Sequence, residues 1–498
     1  MKKEKKHPIT GNLNTDGEAL FRLFADCGDF KHNELYLGSE HEIRCLVCFI
    51  ETTVGNMMVD QTVLGKMLSS LCSMSSKEVY EALEKNSLGA SDIGYFQTIE
   101  EAVDGMLTGA ALLLVDGFDR AIKIEDKGFP GMSVGETDSE KVIRGSNEGF
   151  TDSVKVNAAL VRKRIRSPQL KVLTRKAGVR SKTNLSILYM DGIARQEVLD
   201  EIDRRLEGFE IDGVLDSGVI EQLSEKDWFS PFPQFQTTLR PDRAAMSVLE
   251  GRVVLLCDNS PVALILPTDY NSFIQTSDDY YNRFEIASFS RMLRYLASFF
   301  AMTLPGLYLA VTNFHTQLLP TALILSFAAA REGVPFPAVF EVILMELSFE
   351  LLREAGVRLP GAMGNTIGIV GGLIIGQAAV EANIVSPVVV IVVAFTALCS
   401  FAIPNEEFAT AFRILKFFFI GMCAWLGFFG FLAALLMVLI HLAHLKSFGI
   451  PYLMPFVGAE LTNYDDERDS LLRMPLYWLR RRPIFASPKN KTRLRRRK

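Results

Sequence analysis

The sequence predicts an α+β chain that begins with two related α/β subdomains and ends in an α-helical polytopic membrane domain. Charged residues concentrate before about residue 290, whereas residues 294–445 contain apolar runs long enough to cross a bilayer. In addition, one strand–turn–strand pattern occurs twice in the charged part. Two copies of one pattern indicate a duplicated unit, and the apolar runs indicate a membrane domain after it.

The duplication is clearest around two matched turns. Residues 109–124 contain an apolar run, a turn at Asp116 and a second apolar run, which is typical of a β-hairpin. Residues 251–266 repeat this pattern in the same register, with Asp258 at the position of Asp116. We interpret both aspartates as turn residues and expect one hairpin in each subdomain.

These patterns divide the chain into six segments. The segments are a lead-in at 1–40, a first subdomain at 41–130, a basic linker at 131–182, a second subdomain at 183–280, a helical membrane domain at 281–445 and a basic tail at 446–498. The linker is interpreted as a solvated helix that faces an anionic membrane or an acidic neighbour. Without interleaved aromatic residues, it does not favour a nucleic-acid partner.

No motif of a nucleophile, a phosphate loop or a metal site is present, so we expect no enzymatic activity, no catalytic residue, no cofactor and no metal ligand. Cys45 and Cys48 have CxxC spacing, but they lie inside an apolar run without a second pair. A buried strand is therefore the preferred interpretation over zinc or redox chemistry. The odd number of scattered cysteines is typical of a reducing compartment.

The charge pattern predicts the membrane topology. The basic start of the chain is not followed by an apolar run of signal-peptide length, and Arg291 and Arg294 precede the first long apolar run. The tail is strongly basic, so both termini are expected in the cytoplasm, with an even number of crossings. Four crossings are predicted, at about 293–313, 364–382, 384–403 and 413–443, with re-entrant or interfacial pieces at 318–330 and 338–355.

One apolar segment carries a stripe of glycines. The glycines recur every four residues and lie along one helix face: Gly364, Gly368, Gly372 and Gly376. Apolar burial does not drive helices together in lipid, so small residues that allow close backbone approach commonly form the packing face. We expect this stripe to pack against other helices or against further copies of the chain.

The opposite face of the same helix carries candidate pore-lining residues. They are Val370, Ile374, Gln377 and Glu381. An amide and a carboxylate at membrane depth are unfavourable unless they face protein or water. The sequence leaves two interpretations open: a structural helix with Glu381 at the headgroup level, or a helix that lines an ion or solute path.

Other polar groups in the apolar third are candidates for gating. Glu346, Glu350 and Glu354 recur at helical spacing in an amphipathic segment, which argues against lipid exposure. Pro305 interrupts the first span and predicts a kink. His315, at the end of that span, is a candidate for gating, although boundary polar groups more often satisfy neighbouring helices.

The chain resembles the A subunit of the GerA-type spore germinant receptors between about residues 144 and 483. The most specific stretches are 147–152, 180–183, 188–194, 247–252, 304–315, 329–337, 351–356, 370–382 and 447–452. Many stretches in the same order make a chance resemblance improbable. The basic residues beyond Pro483 do not match the family pattern, so no role is assigned to them.

This resemblance implies a multi-pass protein of the inner membrane of a spore-forming bacterium. It implies a nutrient sensor assembled with a transporter-like B subunit and a lipoprotein C subunit, with the nutrient held mainly by the B subunit. It also implies a homo-oligomer that contacts membrane lipid and passes monovalent cations. The nutrient and the number of copies are not specified by the sequence.

Helical geometry and the resemblance together suggest a gated conduit. In a ring of copies, Val370 and Ile374 would form an apolar constriction, and Gln377 with Glu381 would form a cation-attracting end. Two other function classes remain open, namely a solute permease and a membrane-anchored scaffold without conduction. The absence of an inverted repeat in the membrane part disfavours the permease.

Overall fold

The structure is a computed structural model that describes residues 7–54, 63–84, 93–125, 140, 142, 144–358, 362–457 and 466–495. Within these ranges, the side chains of residues 63–66, 93, 357, 362–370 and 373 are not described. The chain forms two units. The α/β unit comprises Met1–Lys226, Phe235–Pro267 and Arg480–Lys498, and the helical unit comprises Asp227–Gln234 and Thr268–Leu479.

The first half of the α/β unit is a five-stranded antiparallel sheet with helices. Its elements are α1 (Leu13–Leu23), β1 (Phe30–Leu37), β2 (Ile43–Ile50), α2 (Val63–Cys72), α3 (Ser76–Glu84), β3 (Ile93–Phe96), α4 (Ile99–Leu107), β4 (Ala110–Val115) and β5 (Ala121–Glu125). The strand order is β1-β2-β4-β5-β3. β4 is buried along its whole length, so apolar side chains cover both faces of the sheet.

The second half repeats this element order. Its elements are α5 (Val154–Arg164), β6 (Leu170–Ala177), β7 (Thr183–Met190), α6 (Gln196–Leu206), α7 (Ser217–Ser224), β8 (Gln236–Thr238), α8 (Pro241–Glu250), β9 (Val253–Cys257) and β10 (Ala263–Leu266). The strand order β6-β7-β9-β10-β8 corresponds to that of the first sheet. The predicted duplication into two related α/β subdomains is confirmed.

The matched aspartates do more than form turns. The backbone N–H of Leu13, at the start of α1, donates to Asp116 Oδ1 at 3.3 Å. The N–H of Val154, at the start of α5, donates to Asp258 Oδ1 at 3.1 Å. Each carboxylate therefore satisfies a free donor at the N-terminus of the first helix of its own subdomain, where negative charge is favourable.

Both predicted subdomain boundaries are too late. The predicted lead-in contains α1 and the edge strand β1, and the predicted linker contains α5 and the edge strand β6. Most residues of β1 are exposed or only partly buried, because the strand lies at the edge of its sheet. A half-exposed strand with a polar sequence gives only a weak alternation signal, which explains the error.

The predicted buried strand around the CxxC pair is confirmed. Cys45 and Cys48 both lie in β2 and are fully buried. Burial raises the pKa of each thiol to about 12, so both remain protonated at neutral pH. Protonated, inaccessible thiols are poor nucleophiles and poor metal ligands.

The two subdomains are joined by a buried ion pair. The Arg162 guanidinium in α5 donates from Nε to Asp29 Oδ2 at 2.6 Å and from Nη2 to Asp29 Oδ1 at 2.9 Å. Both side chains are almost completely buried. Beside them, the Gly28 N–H donates to the Val172 carbonyl at 2.8 Å, and Lys171 Nζ donates to the Ala25 carbonyl at 2.6 Å. These polar contacts fix the relative orientation of the two sheets.

The C-terminal tail is part of the second subdomain. Ala486 is fully buried and belongs to its core, and the Ser487 N–H donates to the Ile193 carbonyl at 2.6 Å. A Cβ on Gly251, whose φ is +97°, would lie 2.7 Å from Ala486 Cα, so this close approach requires glycine. Next to it, the Arg252 guanidinium lies 3.9 Å from the ring centroid of Phe485.

The helical unit begins after the second subdomain. Its helices are α9 (Tyr270–Ile274), α10 (Ser277–Tyr281), α11 (Phe284–Phe314), α12 (Thr321–Ala330), α13 (Ala338–Arg358), α14 (Ala362–Glu381), α15 (Pro387–Phe401) and α16 (Glu406–His444), followed by the short strands β11 (Lys446–Ser447) and β12 (Ile450–Pro451). Among the described residues, α11 and α16 are long and apolar enough to cross a membrane, and α12 and α15 are shorter apolar helices.

The long helix α16 folds back on itself at Gly427, whose backbone is not helical (φ 58°, ψ −136°). The rings of Phe419 and Phe431, on opposite sides of this break, lie 5.9 Å apart. The ring of Phe232 contacts both Phe412, near the start of α16, and His441, near its end. A straight helix could not bring these residues together. The segment predicted as one continuous helix at 413–443 therefore consists of two antiparallel arms, 406–426 and 428–444, and the number of crossings it makes stays a prediction.

Candidate functional site in the helical unit

The glycine-striped segment forms α14, which spans the whole predicted stripe. The surroundings of Gly364, Gly368 and Val370 lie outside the side chains that the structure describes. The remaining candidates, Gly372, Gly376, Ile374, Gln377 and Glu381, are described and can be located.

The glycine face of α14 packs on neighbouring helices of the same chain. A Cβ on Gly372 would lie 3.8 Å from the Phe349 ring of α13, and a Cβ on Gly376 would lie 3.3 Å from Val390 Cγ1 of α15. At Gly371, adjacent to the stripe, a Cβ would lie 2.8 Å from Leu352 Cδ2 of α13. Glycine therefore allows close packing of helices, as expected for a membrane bundle. Packing between copies of the chain stays a prediction.

The opposite face of α14 is uncovered in the single chain. Ile374 is 59% exposed. Gln377 and Glu381 are also exposed, and Gln377 Nε2 donates to Glu381 Oε1 at 2.9 Å. A hydrogen-bonded amide–carboxylate pair thus lies on an open face of an otherwise apolar helix. Such a pair requires water, protein or lipid headgroups around it.

The acidic residues of α13 form ion pairs with the first arm of α16. Lys416 Nζ lies 2.5 Å from Glu346 Oε2 and 3.3 Å from Glu350 Oε1, and the Arg413 guanidinium also contacts Glu350. Nearer the C-terminal end of α13, Arg353 lies 3.6 Å from Glu406. Residues with higher numbers in α13 pair with residues that have lower numbers in α16, so the two helices are antiparallel.

These ion pairs form a ladder that comprises Glu346, Glu350, Arg353, Glu406, Arg413 and Lys416. Glu346 is its most deeply buried member. Its side chain is 2% exposed, and that of Lys416 is 6% exposed. Glu346 Oε1 is buried without a hydrogen-bond partner among the described residues, so Lys416 alone compensates this carboxylate. Ionised groups in an apolar bundle are stable only when paired, so the ladder explains why α13 carries acids.

The other predicted gating residues lie elsewhere. Glu354 is exposed and pairs with Arg358 one turn along the same helix, outside the ladder. Pro305 is buried within α11, which continues through it, and His315 is the exposed C-terminal cap of that helix. The structure therefore brings Glu346 and Glu350 together and leaves the other three apart. A gating role for any of them stays a prediction.

Sequence reasoning missed the buried residue Glu341. Its side chain is fully buried, receives a hydrogen bond from the Ser386 N–H at 2.8 Å and lies 3.3 Å from Arg331 Nη2. It therefore connects the beginnings of α13 and α15 with the turn after α12. Glu341 lies five residues before Glu346 and so departs from the four-residue spacing of Glu346, Glu350 and Glu354, which is why the spacing alone does not indicate it.

The folded chain thus has a duplicated α/β unit and a helical bundle that is apolar outside and ion-paired inside. This combination defines a membrane protein with a large attached α/β unit. The model of the Bacillus/Clostridium GerA spore germination protein family matches residues 18–485. The chain therefore belongs to the GerA family of spore germination proteins.

Curated relatives match over nearly the whole chain. The uncharacterized membrane protein YfkQ of Bacillus subtilis is 39% identical over 97% of this chain and 93% of its own length. Spore germination protein KA of Bacillus subtilis is 37% identical, covering 98% of this chain and 90% of its own length. Both relatives thus match the α/β unit and the helical unit together.

A solved structure also matches part of the chain. It is the N-terminal domain of the A subunit of the Bacillus megaterium spore germinant receptor GerK3, with a TM-score of 0.41 and 22% identity. The match covers 53% of this chain and 98% of the solved chain.

Proposed function

We propose that this chain is the A subunit of a nutrient-responsive germinant receptor of the inner spore membrane and forms its cation-conducting element. It assembles with a transporter-like B subunit and a lipoprotein C subunit. Several copies associate so that the open face of each α14 lines a common path for monovalent cations. Family membership supports the place in germination, and the open polar face of α14 supports the conduction step.

The observation that carries the proposal is the division of α14 into two faces. Its described glycine face is already filled by α13 and α15 of the same chain. Ile374, Gln377 and Glu381 are left uncovered. A carboxylate facing acyl chains is unfavourable, whereas further copies and a water-filled path would satisfy it. The intrachain glycine packing leaves the polar face available for the conduit.

The helical contacts favour a membrane topology with more crossings than the sequence predicted. In this proposal α11, α13, α14, α15 and both arms of α16 cross the bilayer. The antiparallel contacts of α13 with α14 and with the first arm of α16 support this arrangement. The number of crossings is even, so both termini remain in the cytoplasm, as the positive-inside rule requires.

The test is cation flux through the receptor reconstituted in liposomes. Val370→Ala widens the proposed apolar constriction, so we expect potassium efflux without any nutrient, and premature germination of spores that carry it. Val392→Ala in α15 removes the same atoms away from the path and should leave the liposomes tight.

Three outcomes separate the candidate functions. Nutrient-independent efflux with Val370→Ala alone supports conduction. Absence of flux in every variant contradicts it and favours a membrane-anchored scaffold. Saturable uptake of one solute, without ion efflux, favours a permease.

A further inference from the structure

All three tryptophans of the chain lie in the helical unit and are exposed. Trp228 and Trp425 are each 76% exposed, and Trp478 is 49% exposed. Tryptophan is usually well buried in a water-soluble protein, because its ring contributes a large apolar area. Three exposed tryptophans therefore indicate an environment other than bulk water around the helical unit.

Trp228 belongs to a short aromatic pair that is held at the open ends of the α16 hairpin. Phe229, its neighbour, is 86% exposed. The next residue, Ser230, hydrogen-bonds through its hydroxyl to His441 Nε2 at 2.8 Å. Phe232 is buried between Phe412 and His441. The pair is therefore fixed at the level where the first arm begins and the second arm ends.

Trp478 lies in a second exposed segment, residues 471–478, which is hydrogen-bonded to the start of α11. The segment also exposes Leu471, Leu472, Leu476 and Tyr477. The Arg473 N–H donates to Ser288 Oγ at 3.1 Å, and Arg291 Nη1 donates to the Asp469 carbonyl at 2.9 Å. Ser288 and Arg291 both lie in the first turns of α11, so this segment is fixed at the end from which that helix begins.

Trp425 lies at the opposite end of the hairpin. It precedes Gly427, where the two arms of α16 meet. A Cβ on Gly427 would lie 2.8 Å from the ring of Phe314, the last residue of α11. The fold-back and the end of α11 are therefore at one level, and Trp228 and Trp478 are at the other end of the same two helices.

Tryptophan and tyrosine concentrate at both surfaces of a bilayer, where the ring contacts apolar chains and the N–H or O–H contacts water and headgroups. We propose that residues 228–229 and 471–478 form one lipid-docking surface, inserted into the headgroup region of the cytoplasmic leaflet, and that Trp425 lies in the headgroup region of the other leaflet. This inference rests on the proposed crossing of the membrane by α11 and α16. It adds two loops outside the crossing helices to the surface that contacts lipid.

The alternative occupant of these aromatic surfaces is another protein. Lipid is favoured because the two segments are far apart in the sequence and yet lie at one level. That level is where α11 begins and where the first arm of α16 begins and its second arm ends; α11 and α16 are the two longest apolar helices. Residues at that level meet the headgroups wherever those helices cross a bilayer. Each segment is also fixed to a helix by hydrogen bonds, so the depth of its ring is set by the fold.

The experiment uses full-length single-tryptophan variants in liposomes. Trp425→Phe with Trp478→Phe leaves Trp228, and the two other double replacements leave Trp425 or Trp478. Fluorescence is measured with lipids brominated either near the headgroup or near the chain end, and with iodide present on both sides of the bilayer. We expect strong loss of fluorescence for each tryptophan with bromine near the headgroup and weak loss with bromine near the chain end.

Trp425 serves as the control for membrane placement itself. If Trp425 is quenched by lipid while Trp228 and Trp478 are quenched only by iodide, the docking surface is contradicted and the crossing of α16 remains supported. If no tryptophan is quenched by lipid, the proposed topology fails. Trp228 or Trp478 shielded from both lipid and iodide would indicate a protein partner and would overturn the inference.

For any double replacement that does not yield folded protein, Leu472→Cys with a nitroxide label provides a second measurement. Collision with oxygen dissolved in lipid should dominate over collision with a water-soluble nickel complex. The reverse ratio contradicts insertion of the segment.

Discussion

The two units of this protein distribute charged and apolar side chains in opposite ways. In the α/β unit, apolar strands such as β4 and β9 are buried, and the ion pair between Arg162 and Asp29 joins two separate cores. In the helical unit, large apolar side chains on α11, α15 and α16 are exposed, while Glu346 and Lys416 are buried inside. The contrast indicates that the second unit folds in lipid, where the outside must be apolar and charge must be enclosed.

The strongest way to break this contrast is to remove the buried cation of the helical unit. Lys416→Met leaves Glu346 without a partner in an apolar surrounding, so we expect a loss of stability of about 3–5 kcal/mol. Thermal unfolding of the purified protein in detergent would measure it.

Two controls accompany this replacement. Lys416→Met together with Glu346→Leu removes both charges and should recover most of the loss, because apolar replacements of a buried pair are often neutral. Arg358→Met disrupts only the exposed pair with Glu354 and should change stability little. Equal effects of Lys416→Met and Arg358→Met would show that the ladder is not needed for packing.

A somewhat smaller effect is expected at the junction of the two α/β subdomains. Arg162→Met leaves Asp29 buried, but the Thr52 hydroxyl still donates to that carboxylate at 3.2 Å. We expect a loss at the lower end of the same range, about 3 kcal/mol. The measurement is denaturant unfolding of the full chain, followed by near-ultraviolet circular dichroism. Lys155→Met, which removes an exposed pair with Glu51, is the matched control and should have little effect.

The smallest effect tests the docking of the C-terminal tail on the second subdomain. Gly251→Ala introduces a methyl group against Ala486 and strains a positive φ, whereas Gly192→Ala strains a positive φ with no atom within 4 Å. Backbone strain costs roughly 1–2 kcal/mol at either site. We expect Gly251→Ala to lose more stability and to make the tail after Arg480 sensitive to trypsin. Equal stability losses and an intact tail in both variants would contradict docking of the tail.

The duplicated fold was predictable because its two hairpins are apolar, buried and in the same register. The starts of both subdomains were not, because β1 pairs at a sheet edge and presents polar residues outward. The docked tail was also missed: its sequence is basic, and only the folded second subdomain provides the site that Ala486 fills.

The candidate site was predictable only in part. The spacing of glycines and of the Gln377–Glu381 pair indicated two helix faces, and both faces are present in the described part of α14. The cationic partners of Glu346 and Glu350 could not be inferred, because they lie on a helix far along the sequence. The break at Gly427 was not predicted either: the apolar run contains Gly421, Gly427 and Gly430, and a glycine inside a helical pattern rarely indicates a reversal of the chain.

The central claim is that the open face of α14 lines a water-accessible path. It is tested most directly by labelling the Gln377→Cys variant in liposomes with a charged, membrane-impermeant thiol reagent. Ile391→Cys is the matched control, because Ile391 is exposed on α15 beside Val390, the contact of Gly376. The account predicts that the thiol introduced by Gln377→Cys reacts much faster than the thiol introduced by Ile391→Cys, and that its modification reduces cation flux. Equal or slower reaction of the Gln377→Cys variant, with flux unchanged, would contradict it.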